Sequence, residues 1–198
     1  MISEQFGYLT IIAGLLGISF YVIDIFRGKT KPNFISWFFW MLAPFIGTFL
    51  QLQAGAGLSV LPVFMAGFTP LLVLVVAFIK SNAYWKLSFF DVACGVFSFL
   101  AMILWIFTRN TDISIVFAIL ADALAAVPTL VKSWKFPETE TAAGYMPGVF
   151  NNIIGLLIIR NWTFSIYSFG IYFIVMNLTL VLFIYRKKIT SIFSETFA

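Results

Sequence analysis

The fold is decided by one stretch, residues 118–142, which reads AILADALAAVPTLVKSWKFPETETA. It is an apolar run with one acid, Asp122, that ends in basic residues, and Pro137 begins the next segment after a short link. The first quarter of the chain repeats this plan, because an apolar run with the late acid Asp24 ends in basic residues before Pro32. Aligning Pro32 with Pro137 gives an offset of 105 residues. The pattern predicts two copies of one helical unit.

The composition is that of an integral membrane protein. Of 198 residues, 62% are hydrophobic and 10% are charged, whereas a soluble domain carries about 25% charged residues. Several apolar segments are about 20 residues long, enough to cross a hydrocarbon core of roughly 30 Å. We therefore expect an all-α protein of the cell membrane (plasma or inner membrane), with the lipid bilayer as its main partner.

Other classes of function are disfavoured by residue type and placement. The net charge is +4, but the basic residues lie at the ends of apolar runs, where they set topology rather than bind nucleic acid. The chain has no histidine and one cysteine, Cys94, so we expect no metal site, no cofactor and no catalytic residues. An enzyme is not expected.

Seven membrane spans are predicted, and most of them repeat. They lie at residues 6–26, 33–53, 59–79, 88–107, 112–131, 142–159 and 163–185. Adding 105 to the first three gives positions close to the last three, while the fourth has no counterpart. Because two units of three helices can be parallel only if an odd helix joins them, the prediction is a 3+1+3 arrangement. The corresponding segments are a first repeat (1–87), a linker helix (88–110), a second repeat (111–188) and a cytoplasmic tail (189–198).

Charge placement predicts the orientation. The links after spans 1, 3 and 5 and the C-terminus hold ten basic residues, against two (Arg109 and Arg160) in the other links and the N-terminus. Cytoplasmic segments are enriched in Lys and Arg. The N-terminus is therefore expected outside and the C-terminus in the cytoplasm. The ten residues are Arg27, Lys29, Lys31, Lys80, Lys86, Lys132, Lys135, Arg186, Lys187 and Lys188.

Polar residues at membrane depth are the candidates for function. A charge at a helix centre costs at least roughly 2.5–3.5 kcal/mol and usually faces a cavity or a partner, which favours Asp122 near the middle of span 5. The amides of spans 6 and 7 either line a polar pocket or only join helices by hydrogen bonds. Trp40 and Tyr145 are related by the 105-residue offset and are expected as aromatic walls, although tryptophan is also common at membrane interfaces. The predicted binding residues are Asp122, Asn152, Asn177, Trp40, Tyr145, Asn151 and Thr69.

Three prolines are predicted hinges: Pro44, Pro128 and Pro147. A proline inside a helix removes a backbone hydrogen bond and tends to kink the helix. Kinks of this kind are either static or allow one unit to rock against the other.

Residues 128–134, PTLVKSW, followed by Pro137-Glu138-Thr139-Glu140, resemble the PQ-loop superfamily, which includes the SWEET and SemiSWEET sugar transporters. In that family a Pro-Gln pair ends the first helix of each repeat; here Thr129 stands in place of the glutamine, and Ile23-Asp24 occupies the position in the first copy. The resemblance implies the 3+1+3 layout and a sugar-binding asparagine at Asn177, with Leu72 as its counterpart. Trp37-x-x-Trp40 is also similar to the tryptophan-rich helices of PnuC-type vitamin transporters.

The sequence therefore predicts a transporter of a small polar solute, sugar-like or vitamin-like, that works by alternating access. The alternative is a membrane sensor, scaffold or assembly protein with the same fold that transports nothing. A homo-oligomer is compatible with either function.

Overall fold

The structure is a computed structural model that describes residues 2–80, 85–108 and 110–196, with side chains given up to Lys188 except at Trp105. Arg109, one of the basic residues counted above, lies outside the described residues. The described chain forms seven α-helices joined by short loops and 3₁₀ turns. They are α1 (Gly7–Phe26), α2 (Phe34–Gln53), α3 (Leu61–Ile79), α4 (Phe89–Phe107), α5 (Thr111–Lys135), α6 (Met146–Ile158) and α7 (Phe164–Thr196).

The helices are those of a membrane protein, as the sequence predicts. Five of them, some with an adjoining 3₁₀ turn, are long and apolar enough to cross a membrane: α1, α2, α3, α5 and α7. The apolar part of α4 and the unit formed by α6 with the turn before it are shorter. The class of all-helical membrane protein and the number of helices are therefore confirmed.

The last helix is longer than its predicted span. We expected the span to end at 185 and a tail to begin at 189, but α7 continues to Thr196. Residues 186–196 contain neither glycine nor proline, so no residue in this segment breaks the helix.

The turn after α1 depends on a left-handed glycine. Gly28 has φ +71°, a conformation that costs glycine little because it has no Cβ. The turn brings the N–H groups of Lys29 and Thr30 within 2.9 and 3.2 Å of the Asp24 carbonyl oxygen, to which they donate. The chain can therefore reverse direction within a few residues, and α2 begins shortly after Pro32 in the sequence.

The helices form two sets of three, α1–α3 and α5–α7, which we call the first and second trio. In the first trio α3 packs against α1 and α2, and in the second trio α7 packs against α5 and α6. Between the trios, α1 packs against α6 and α2 packs against α5. The contacts of the first trio are thus repeated by the second, and α4 packs on α5 and α2.

The trios approach each other closely where glycine faces proline. A Cβ added at Gly17 of α1 would overlap the ring of Pro147 and lie 2.9 Å from the Ala143 carbonyl oxygen. Membrane helices use small residues at such crossings because backbones can then approach each other. The contact between α1 and α6 therefore depends on the missing side chain of Gly17.

We expect Gly17→Ala to destabilise the protein by about 1–3 kcal/mol, the usual cost of overpacking. The measurement is the thermal unfolding midpoint of the purified protein in detergent. Ser19→Ala is the control, because Ser19 lies on the exposed face of the same helix. Equal midpoints for the two variants would contradict the close approach.

Candidate functional site

One internal cavity, with a volume of ≈ 80 Å³, lies between the two trios. Its lining residues come from α1, α2 and α3, from α5 and α7, and from α6 with the turn before it. All seven residues that the sequence analysis singled out for binding line this cavity: Asp122, Asn152, Asn177, Trp40, Tyr145, Asn151 and Thr69. The structure therefore brings together side chains that are up to 137 positions apart, from Trp40 to Asn177.

Asp122 is the charged group of the cavity lining. Its position near the middle of α5 leaves it 1% exposed. The Tyr172 hydroxyl donates a hydrogen bond of 2.7 Å to Asp122 Oδ2. Among the described residues, the other oxygen, Oδ1, has no hydrogen-bond partner. A buried carboxyl with one oxygen unpaired can accept a hydrogen bond from a ligand.

The observed side-chain hydrogen bonds of Asn152 and Asn177 stay within their own helices. Asn152 Nδ2 donates to the Gly148 carbonyl at 2.8 Å, and Asn177 Nδ2 donates to the Phe173 carbonyl at 2.7 Å. Each bond returns to the residue's own helix, whereas an amide that holds a bundle together bonds to a neighbouring helix. Asn152 Oδ1 is buried and has no partner in the described part of the chain. Within the described residues, these two amides therefore show no hydrogen bond to a neighbouring helix.

Gly148 makes room for the Asn177 side chain. A Cβ at position 148 would lie 2.7 Å from Asn177 Oδ1 and 2.8 Å from Asn177 Nδ2. The amide of α7 therefore packs directly on the backbone of α6, beside the cavity.

Asn151 and Thr69 differ in what they bond. Asn151 Nδ2 donates to the Thr10 carbonyl at 2.9 Å and so ties α6 to α1. The Thr69 hydroxyl donates to the Met65 carbonyl of its own helix at 2.9 Å. Asn151 therefore joins two helices, which is the structural role that the sequence left open for the amides of spans 6 and 7.

Aromatic rings form one wall of the cavity. Trp40 and Tyr145, which are repeat equivalents, pack edge to face with centroids 6.2 Å apart. Trp37 also lines the cavity and lies 5.5 Å from Trp40 and 6.4 Å from Tyr145. Trp37 was missing from the predicted site, although its position one helical turn before Trp40 places both on one face of α2.

A buried polar cluster lies beside this wall, at the end of the bundle that carries the basic residues. Lys132 and Glu140 form an ion pair, with side chains 2% and 0% exposed. The hydroxyls of Tyr21 and Tyr145 both donate to Glu140 Oε2, at 2.9 and 3.1 Å. Lys132 Nζ also donates to the Lys31 carbonyl at 2.5 Å. We call Tyr21, Lys132, Glu140 and Tyr145 the tyrosine–ion-pair cluster; it joins the first trio to the second.

Sequence reasoning missed this cluster. It treated Lys132 as a topology residue and Glu140 as part of a polar link. The link folds back into the bundle through two 3₁₀ turns, Pro137–Thr139 and Ala142–Gly144. The tertiary path of such a link is not visible in hydropathy or spacing.

Two hydrogen bonds between the trios are related by the repeat. The Thr141 hydroxyl donates to Asp24 Oδ2 at 2.9 Å, and the Thr129 hydroxyl donates to Ser36 Oγ at 2.7 Å. At the offset of 105 residues, Asp24 corresponds to Thr129 and Ser36 corresponds to Thr141. The same two repeat positions are therefore hydrogen-bonded twice. One bond joins Asp24 of the first repeat to Thr141 of the second, and the other joins Ser36 of the first repeat to Thr129 of the second. Asp24 also pairs with Arg27 at 3.9 Å.

The three predicted hinge prolines lie in different settings. Pro44 and Pro128 are inside α2 and α5, where each removes a helical hydrogen bond. Pro147 is in the first turn of α6, where a proline fits because the N–H would be unpaired in any case. The expected span 142–159 placed Pro147 inside a helix, but α6 begins only at Met146. The hinge roles stay predictions.

Comparisons with known proteins give no family assignment. The chain matches no protein-family model, no curated protein and no solved structure. Within the described residues, no group of three or more His, Cys, Asp or Glu side chains could hold a metal ion.

We expect Glu140→Gln to be strongly destabilising, because it leaves the buried Lys132 charge unpaired. Breaking one side of a buried pair costs about 3–5 kcal/mol, whereas replacing both partners by apolar residues is often neutral. The double variant Lys132→Met, Glu140→Leu should therefore unfold at a higher temperature than Glu140→Gln.

The control for this comparison is Glu138→Gln, since Glu138 is exposed in the same link. Thermal unfolding in detergent is the measurement. A Glu140→Gln midpoint equal to that of Glu138→Gln would show that the pair is not buried in the folded protein.

Proposed function

We propose that the protein is a membrane transporter of a small polar solute that works by alternating access between two three-helix repeats. The observation that carries this proposal is the cavity between the trios, where Asp122, Asn151 and Asn152 each have a buried oxygen without a partner among the described residues. An ionisable residue inside a membrane helix, such as Asp122, is typical of a substrate or ion pathway. Transporter sites lie at mid-membrane depth between repeats.

The 3+1+3 arrangement is part of the proposal. Its support is the recurrence of the helix contacts of α1–α3 in α5–α7 and the two hydrogen bonds related by the 105-residue offset. The resemblance of the PTLVKSW segment to the PQ-loop superfamily points the same way. In this arrangement α4 is the helix that allows the trios to be parallel.

Transport requires the trios to separate. A cavity of ≈ 80 Å³ is smaller than the cavity of about 150 Å³ that accepts benzene in an engineered protein. A solute as large as benzene therefore fits beside Asp122 only if the cavity widens. We propose that the tyrosine–ion-pair cluster breaks when the cavity opens toward the cytoplasm, and that Pro44 and Pro128 absorb the bending.

The alternative function, a sensor, scaffold or assembly protein that transports nothing, has one observation in its favour. Asn151 bonds to the Thr10 carbonyl of another helix, as a purely structural amide would. Asn152 and Asn177 do not share this behaviour.

The test is uptake into proteoliposomes, screened over sugars, vitamins, amino acids and small amines. We expect uptake of at least one solute above that of protein-free liposomes. Asp122→Asn should lower this uptake at least tenfold, because it removes the charge from the cavity, while the yield of folded protein is unchanged.

Asp112→Asn is the matched control, since it makes the same substitution at an exposed position of α5. It should transport like the parent protein. No uptake of any screened solute would favour the alternative function. Uptake that is unchanged in Asp122→Asn would remove Asp122 from the mechanism.

The proposed orientation is tested by cysteine labelling. The native Cys94 is buried, so Cys94→Ala provides a background for cysteines at the exposed positions Ser3 and Lys29. A membrane-impermeant maleimide added to intact cells should label Ser3→Cys, and it should label Lys29→Cys only after the membrane is permeabilised. The reverse labelling pattern would contradict an outside N-terminus.

A further inference from the structure

We propose that the solute bound in the cavity is a small organic cation, such as an ammonium or guanidinium compound. This inference rests on the proposed function, because it assigns the chemical class of the transported solute. It follows from the charge, the hydrogen-bonding groups and the aromatic rings that line the cavity.

Among its described residues, the cavity lining holds an acidic group and no basic one. Asp122 contributes a carboxyl group, and no Lys or Arg is among the described lining residues. The nearby cation Lys132 is paired with Glu140 in the tyrosine–ion-pair cluster. A positive ligand next to a buried carboxyl favours the ionised carboxylate and is attracted by it. An anionic ligand would find no opposite charge in the lining.

The unpaired oxygens of the cavity require donors. Asp122 Oδ1, Asn151 Oδ1 and Asn152 Oδ1 are all buried acceptors without a partner in the described part of the chain. A carboxylate or an amide oxygen can only accept a hydrogen bond. Ammonium and guanidinium groups supply several N–H donors and no acceptor, which matches this set.

The aromatic wall is suited to the same ligand. Trp37, Trp40 and Tyr145 line the cavity together with Asp122. Cations bind over the faces of such rings, most strongly over tryptophan, and more strongly when water is excluded. A carboxylate and an aromatic wall in one cavity therefore combine the two interactions that favour a cation.

The indole N–H groups indicate a second feature of the ligand. Trp37 Nε1 and Trp40 Nε1 are buried and have no acceptor among the described residues. A hydroxyl oxygen on the ligand would accept from them. An amino alcohol carries both a cationic donor end and a hydroxyl, in few enough atoms to suit a narrow cavity.

A neutral sugar is the competing ligand, since it also offers donors and acceptors. A sugar would leave the Asp122 carboxylate without a cationic partner, and a buried carboxylate without a partner takes up a proton because buried charges are costly. The charge, rather than the hydroxyl pattern, therefore separates the two classes.

The test compares ligands that have the same shape but differ in charge. The pairs are ethanolammonium with propan-1-ol, and guanidinium with urea, each at millimolar concentration. The thermal midpoint of the purified full-length protein in detergent measures binding, because a ligand stabilises the folded state that binds it. We expect the cation of at least one pair to bind at least tenfold more tightly than its neutral partner.

Two variants test whether the preference for the cation depends on Asp122. Asp122→Asn should abolish the difference between cation and neutral partner, and Asp112→Asn should retain it. Equal binding of the two members in both pairs by the parent protein would overturn the inference even if Asp122→Asn fails to fold. A preference that persists in folded Asp122→Asn would overturn it as well.

The outcome is separable from that of the proposed function. Cation binding in detergent without uptake into proteoliposomes would contradict transport and leave the cation site intact. Uptake of a sugar without any preference for cations would support transport and contradict the cation site.

Discussion

Polar groups in this helical bundle have no water to bond in the hydrocarbon core, so they must find partners inside the protein. Most of the buried ones do. The Asp122 carboxyl accepts from Tyr172, and the Glu140 carboxyl accepts from two tyrosines and pairs with Lys132. Among the described residues, three buried oxygens without a hydrogen-bond partner belong to residues that line one cavity: Asp122 Oδ1, Asn151 Oδ1 and Asn152 Oδ1. Other unpaired oxygens, those of Gln51, Ser133 and Ser168, lie outside this lining.

The two trios are held together by different interactions at different depths. At the basic end, hydroxyl hydrogen bonds and the bond from Lys132 to the Lys31 carbonyl connect the first half of the chain with the second. Further along α1, close packing of Gly17 on Pro147 replaces polar contacts. Hydrogen bonds and ion pairs exchange partners readily when water enters, whereas close packing resists gradual deformation. The two trios are thus joined by polar bonds at one depth and by close packing at another.

The repeat is visible in the bonding as well as in the sequence. Few side chains are identical at an offset of 105, yet the positions of Asp24 and Ser36 and those of Thr129 and Thr141 form corresponding hydrogen bonds. At the position shared by Asp24 and Thr129, the carboxylate accepts a hydrogen bond and the hydroxyl donates one, since a hydroxyl can do either. Helix geometry and bonding position therefore persist where residue identity does not.

The sequence by itself determined the class of protein, the helices and seven of the residues that line the cavity, because apolar run length and isolated polar residues in such runs have few physical explanations in a membrane. It did not determine which amides join helices, and it missed Trp37, Tyr172 and the tyrosine–ion-pair cluster. Those depend on contacts such as Tyr172 with Asp122 and Glu140 with Tyr21, 50 and 119 positions apart. Only the tertiary structure decides them, because hydrogen bonding between distant segments leaves no periodic signal in the chain.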